Sequence, residues 1–305
     1  MTEAPKASGI LAVPNVSEGR DAELIERLES AFATGSAVLD RHSDATHNRT
    51  VFSLVPNDGR AAETLASGAR EAIATIDLSN HEGEHPHIGA LDVAPVIYLR
   101  PESREEARAQ ALETAGEIGE LGVPVFLYGE LASVPERRER AYFRSGGPSA
   151  LAARMERREL ESDFGPSAPH STAGATLVTA RPPLAAFNME FEGMTLTQAK
   201  AVAAALRESG GGRPGVRAIA LSLSDHRTQI STNVHDPVAI PLAEVVARAR
   251  DLADAHAGVI RCAEIVGLVP RAALEQFPAD VPIPGFERAH GVIEERLEAL
   301  TRDGA

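Results

Sequence analysis

The chain has 305 residues, 43% of them hydrophobic, enough to bury a real core and to divide into two domains. Its formal charge of −14 argues against non-specific binding to nucleic acid or to an acidic membrane, although local arginines can still take up an anionic small molecule. A single cysteine, Cys262, leaves no disulfide framework and no cysteine-rich zinc site. The opening MTEAPKASGILAVPNVSEGR has no signal-peptide run and no span suits a membrane helix, so a soluble cytoplasmic protein is expected.

Residues 9–13, GILAV, are a short apolar run stopped by Pro14 and predict a buried strand. Apolar residues at 24, 25, 28, 31 and 32 carry the helical period over 21–33. AVLD (37–40) and TVFSLV (50–55) predict the next strands, with turn chemistry at Asn57-Asp58-Gly59. Residues 61–76 predict a helix, and 93–100 a strand interrupted by Pro95. A helix over 103–121 opens with a Ser103/Glu106 capping-box pattern, and VPVFLYG (123–129) predicts another buried strand. Residues 130–175 are less regular and end in a Gly/Pro/Ser loop.

The pattern then returns, with strands at 184–191, 215–223, 228–234 and 258–270, and helices at 195–208 and 242–257. The tail FERAHGVIEERLEAL predicts one charged amphipathic helix. Both halves thus order as β-α-β-β-α-β, an α+β chain of two ferredoxin-like subdomains, divided at 1–178 and 179–305. Long polar loops at 81–91 and 163–176 mark functional segments, and a cleft between the subdomains is where a ligand is expected.

The densest chemistry lies in HEGEHPH, residues 81–87. Read literally it satisfies the H-E-x-x-H of zinc peptidases, but that site needs both histidines on one helix face. Gly83 weakens a helix there, and Pro86 pushes His85 toward extended geometry. A non-helical metal site on His81, His85 and His87, an acid/base centre, and a solvated polar turn remain as readings. Carboxylates beside histidines favour proton transfer, because an imidazole titrates near neutrality and a carboxylate can orient it.

Several stretches together resemble the glutamate formimidoyltransferases (formiminotransferases) of histidine degradation. They are VPNVSEGRD (13–21), LDRHSDATHNRTVFSLV (39–55), GEHPHIGALDVAPV (83–96), VPVFLYGE (123–130), DFGPSAPHSTAGAT (163–176), AAFNMEF (185–191), QISTNV (229–234) and EIVGLVP (264–270). The resemblance implies two α/β subdomains with a folate site between them. It implies transfer of a formimidoyl group from N-formimidoyl-L-glutamate to tetrahydrofolate, the co-substrate, with no metal required. The histidine of GEHP, here His85, is then the catalytic acid/base. The family's folate loop maps to Gly165, Pro166, Ser167, Ala168, Pro169, His170, Ser171, Thr172, Ala173 and Gly174. A homodimer is expected, and a separate cyclodeaminase acting downstream, since the chain is much shorter than the two-domain vertebrate members. Where vertebrate members carry Lys and Arg around the motif, this chain has Glu82 and His87. It also lacks the vertebrate tryptophan of the folate loop.

The chemistry asks for a group that removes a proton from the attacking folate nitrogen and gives one to the departing glutamate nitrogen. His85 is assigned that part, with Glu84 or His81 orienting it. A planar amidinium suits a carboxylate, for which Asp40 and Asp44 are candidates, with turn formation or capping as the alternative duty. Substrate carboxylates call for arginine forks: Arg49, Arg144 and Arg181 lie in or beside matched stretches. Phe126, Tyr128 and Phe187 can face the pterin or pack the core, and Tyr128 is taken as a folate contact with Arg144 and Asn233. Asn15 and Asn48 are further polar candidates, and Cys262 reads as a small buried hydrophobe. The Gly210-Gly211-Gly212 run lacks a dinucleotide-binding context. Formyl transfer, a non-catalytic folate-binding protein and a metal-dependent hydrolase are the competing functions.

Overall fold

A computed structural model describes residues 9–83, 85–223 and 227–303, and the fold is α+β. The chain divides into two compact units, Met1–Arg181 and Pro182–Ala305. The division follows the end of a strand, whereas the expected boundary at 178 would cut that strand in two.

The first unit opens with β1 (Ile10–Ala12) and β2 (Asn15–Val16). Both pair antiparallel with the same two neighbours, so they are one strand interrupted at Val13-Pro14. Helix α1 (Ala22–Phe32) starts where Asp21 accepts from the Leu24 N–H at 3.0 Å and buries Ile25, Leu28 and Phe32. Strands β3 (Ser36–Asp44) and β4 (Arg49–Pro56) form a hairpin, followed by α2 (Ala61–Thr75) and β5 (Leu91–Tyr98). Then come α3 (Arg104–Glu120), β6 (Val125–Leu127), α4 (Arg140–Arg144), α5 (Gly147–Glu156) and β7 (Thr176–Arg181).

In space the strands run β3-β4-β1/β2-β5, the ferredoxin-like order, and the sheet continues with β7 parallel to β5 and β6 parallel to β7. Alternation along β6 and β7 explains the layers. Val125, Val178 and Ala180 join the core under α1, α2 and α3, while Phe126 and Leu177 face the other way into a second core with Phe143, Leu151 and Met155 of α4 and α5.

The second unit holds β8 (Ala185–Glu192), α6 (Leu196–Leu206), β9 (Val216–Ser222), β10 (Thr228–Val234), α7 (Leu242–Asp254) and β11 (Val259–Ile265). Its sheet is antiparallel in the order β11-β8-β10-β9, again ferredoxin-like. The face bearing Phe187, Met189, Phe191, Ile230 and Val234 packs on the helices; the other face carries Asn188, Glu190, Gln229, Ser231 and Asn233. The chain ends in α8 (Arg288–Gly291) and α9 (Ile293–Asp303). Among the described residues no helix is long and apolar enough to cross a membrane.

Several expectations change. Pro95 does not interrupt its strand: it sits in register with Thr179 inside β5, and its carbonyl accepts from the Val13 N–H at 3.0 Å. The run TLVTAR, absent from the predicted strands, is β7, a strand near the middle of the sheet. Ser103 caps nothing with its side chain, because a 3-10 turn (Pro101–Ser103) precedes the helix and leaves Ser103 out of the extended cap geometry. The working capping box is Thr195/Gln198 at the start of α6. The tail is two helices, since Val292 leaves the helix to bridge with Val269, whose N–H and carbonyl bond to Gly291 and Ile293. Cys262 is only partly buried, beside a bulge in β11.

Between β5 and β7 lies the feature that positions the functional loops. Main-chain bonds run from Leu78 N to the Thr172 carbonyl, Ala90 N to Ala173 and Ala175 N to Ile88, each 2.9 Å. They join the loop containing residues 81–87 to the end of the loop containing 165–174. Contact is close enough that a Cβ on Gly89 would stand 1.9 Å from the Ala175 carbonyl oxygen, and one on Gly174 would stand 2.2 Å from the Ile88 carbonyl oxygen. Gly174 also adopts φ +67°, which favours glycine. Gly89→Ala should therefore force the two loops apart, at a cost of about 1–3 kcal/mol in urea denaturation. Faster amide exchange at Ala90 and Ala175 checks that the loss is local.

Candidate active site

Asn48, at the turn between β3 and β4, has φ +48°, a left-handed conformation that asparagine tolerates better than most residues. Its side chain accepts from the Gly19 N–H at 2.9 Å and donates to the Glu82 carbonyl at 3.1 Å. Ser17 donates its hydroxyl hydrogen to the Gly89 carbonyl at 2.7 Å, and the Ser17 N–H donates to Ala90. Residues 15–19 are thus fastened to both ends of the histidine-rich loop.

Ser17, His47, Asn48, Arg49, His81, His85, His87 and Asp92 line one small cavity, which their side chains fill in this conformation. Arg49 begins β4 and enters the cavity from one side. Its Nη1 lies 2.6 and 2.7 Å from the two ring nitrogens of His85, and its Nη2 donates to the Asn15 side-chain oxygen. The near-equal distances put Nη1 against the ring and single out neither nitrogen.

Asp92, on β5, is 2% exposed and fully engaged. One oxygen accepts from the Ile88 N–H at 2.8 Å; the other accepts from Arg144 of α4 and lies 3.9 Å from Arg49. Burial alone would raise the Asp92 carboxyl, but Arg144 and then Arg49 hold it below the usual carboxylate range. Burial pushes Arg49 down to about 9, with the Arg144 cation adding to the effect, and lowers Arg144 as well. His85 feels the same field. Burial first, then Arg49, Arg144 and Arg140, hold it well below its ordinary value of 6.5, so it is neutral at pH 7. The His47 ring stands edge-on to His85 with centroids 6.2 Å apart.

The structure brings His81, His85, His87, Asn48, Arg49 and Asn15 together, with Arg144 behind Asp92. Residues 81–83 and 85–87 carry no helix, so the geometry of a zinc-peptidase H-E-x-x-H is absent. Among the described residues no three His, Cys, Asp or Glu side chains converge as metal ligands. Glu84 lies outside the described residues. Asp40 is placed elsewhere: it sits on β3 opposite Ser53, while Arg49 pairs with Asp44 farther along the hairpin, so Asp40 does not line the cavity. Asp44 serves the turn, accepting from the N–H groups of Thr46 and His47 at 2.7 and 2.8 Å.

Tyr128 follows β6 and packs in the second core, its hydroxyl hydrogen-bonded to Arg181, whose guanidinium is pushed by burial down to about 10. Phe126 and Phe187 are core residues, one in each unit. Asn233 is on β10 of the second unit, partly buried on the polar face of its sheet. In the 165–174 loop, Gly165, Pro166, Ser167, Ala168 and Ser171 are exposed, whereas Ala173 and Gly174 are buried. His170 closes its end: the ring Nδ1 accepts from the N–H groups of Thr172 and Ala173 at 3.3 and 3.1 Å. The sequence reading missed Asp92, although a lone carboxylate in the apolar run LDVAPV was the signal for it, and it missed Arg140.

Two family profiles match the chain. The formiminotransferase domain, N-terminal subdomain, matches residues 9–181, and the formiminotransferase domain matches residues 186–279. A glutamate formimidoyltransferase of Streptococcus pyogenes serotype M1 is 34% identical over 266 residues, 86% of this chain and 89% of that protein. Another from Thermoplasma acidophilum is 34% identical over 294 residues, 94% of this chain and 96% of the relative. The formimidoyltransferase-cyclodeaminase of Mus musculus is 38% identical over 86% of this chain, which spans 50% of that longer protein. With both profiles in chain order over the two observed units, the chain belongs to the formiminotransferase family.

Proposed function

We propose that this protein is a glutamate formimidoyltransferase, moving the formimidoyl group of N-formimidoyl-L-glutamate to N5 of tetrahydrofolate and releasing L-glutamate. The observation that carries this reading is a neutral His85 held against Arg49 in a small polar cavity, in a chain of this family. A planar amidinium carbon is the electrophile. N5 of the folate attacks it, and the tetrahedral adduct must lose the N5 proton and gain one on the glutamate nitrogen before that nitrogen leaves. One imidazole within reach of both nitrogens can carry this proton, contributing roughly 10²–10⁴-fold.

His85 begins as a base because burial, and then the arginine field, keep it unprotonated. Pairing of a substrate carboxylate with Arg49 or Arg144 offsets that field and raises the ring's proton affinity, so the same residue is better able to hold the proton it has taken. Asp92 fixes Arg144 and, through Ile88, the backbone that leads out of His85-Pro86. The exposed part of the 165–174 loop, bonded to the histidine loop, is the proposed folate contact, with tetrahydrofolate as co-substrate and no metal. Small-molecule substrates are the partners this chemistry needs. The formimidoyl product then calls for a deaminase, an activity that the name of the mouse relative joins to the transferase. We further propose a homodimer working in the cytoplasm.

Purified protein given both substrates should release glutamate, and His85→Ala should lower turnover by at least about 10². Undiminished turnover in that variant would remove His85 from the mechanism. The pH dependence follows in sign. A base whose pKa is depressed stays competent below the ordinary 6.5, so kcat/KM, which reports free enzyme, should hold its plateau through pH 6.5 and fall only at lower pH. Arg49→Gln removes a depressing cation and should move that acid limb upward. An unmoved limb in this variant would show that Arg49 does not set the ring's affinity.

A further inference from the structure

Two chemically opposite kinds of group line the cavity. Arg49 presents only donors. His81 presents the reverse, and its hydrogen bonds fix why. The Nε2 of His81 lies 3.2 Å from the backbone carbonyl of Asn48, and a carbonyl only accepts. Nε2 therefore carries the hydrogen, and in the neutral ring Nδ1 is a bare acceptor. That tautomer is held firmly, because Asn48 is itself tied to Gly19 and to the Glu82 carbonyl. The Nδ1 is shut off from solvent, and no group among the described residues donates to it.

His87 repeats the pattern. Its Nδ1 is 3.3 Å from the His85 carbonyl, which leaves Nε2 as the acceptor, and its ring packs on His81 with centroids 4.2 Å apart. Burial and the neighbouring His81 lower the His87 pKa, which favours its neutral ring. Two imidazoles therefore line the cavity together with the guanidinium, each with one ring nitrogen left without a backbone partner.

The two plausible donors for this chemistry differ at one atom. The formimidoyl group ends in nitrogen bearing hydrogen, a donor; the formyl group ends in oxygen, an acceptor. Resting on the transferase reading above, we propose that His81, backed by His87, selects a formimidoyl over a formyl donor by accepting a hydrogen bond from the terminal N–H of the amidine. A formyl oxygen in the same place would face a bare nitrogen, leaving two acceptors desolvated and unpaired. Sites built to hydrogen-bond one substrate group reject the analogue that lacks it far more strongly than apolar pockets reject a missing methylene.

The test compares N-formimidoyl-L-glutamate as substrate with N-formyl-L-glutamate as competitive inhibitor in the full-length protein, using His81→Phe and His81→Asn. The first keeps a ring without the acceptor; the second keeps a carbonyl oxygen near the Nδ1 position and adds a donor. His81→Phe should lower kcat/KM for the formimidoyl donor at least about tenfold, with KI for the formyl compound unchanged or tighter and KM for tetrahydrofolate within about twofold. His81→Asn should restore most of the formimidoyl activity and tighten binding of the formyl compound, narrowing the preference. Equal weakening of both compounds by His81→Phe, or no change in either, overturns the proposal, as does an Asn variant no better than the Phe variant. Should the wild-type protein turn over no formimidoyl donor, the transferase reading fails. Direct binding of the two glutamate derivatives by calorimetry, in wild type and both variants, then still decides whether His81 discriminates between them.

Discussion

A buried carboxylate with every oxygen engaged is the fixed point of the first unit. Asp92 stands in β5 among apolar neighbours, where an unpaired charge would be strongly destabilising. Its partners come from three separate stretches: the Ile88 N–H from the histidine loop, Arg144 from α4, and Arg49 from the start of β4. Because each partner also takes part in the cavity or supports it, satisfying one charge aligns the site. The same arrangement sets the electrostatics. Two cations share one anion, so the neighbourhood keeps a positive surplus that adds to burial in leaving His85 neutral.

Much of the architecture was legible because period-2 and period-3.6 patterns are local. The β10 strand agrees with its expected range of 228–234, and α1, α2, α3, α6 and α7 lie within their expected helices. What escaped was decided by partners remote in sequence. The run TLVTAR follows a glycine-rich loop and is short, and only pairing with β5 and β6 makes it a strand. Pro95 looked like a break, yet its ladder partners tolerate it where β1 and β2 are themselves interrupted at Pro14. Val292 interrupts a sound helical period because Val269 offers it a backbone bridge.

The site was legible by composition and illegible by geometry. Three histidines in seven residues announced chemistry, and the proline and glycine there correctly spoke against a zinc helix. Asp40 was chosen for its motif, but a β-hairpin separates residues along its length, and its position opposite Ser53 keeps it from the cavity. Asp92 was passed over because a carboxylate in an apolar strand gives no motif, only an anomaly whose partners lie 4 to 52 residues away. Which ring nitrogen of each histidine is bare is also beyond sequence, since backbone carbonyls decide it.

The bonds that join the histidine loop to the 165–174 loop have an evolutionary consequence. They gather at residues 172–175, whereas the stretch from Gly165 to Ala168 projects with exposed side chains. Drift is therefore cheap at the tip and costly at the base. The tip can vary without moving the backbone that carries His85. The two loops share a hydrogen-bonded base, yet selection can act on the exposed tip and on the histidine loop separately.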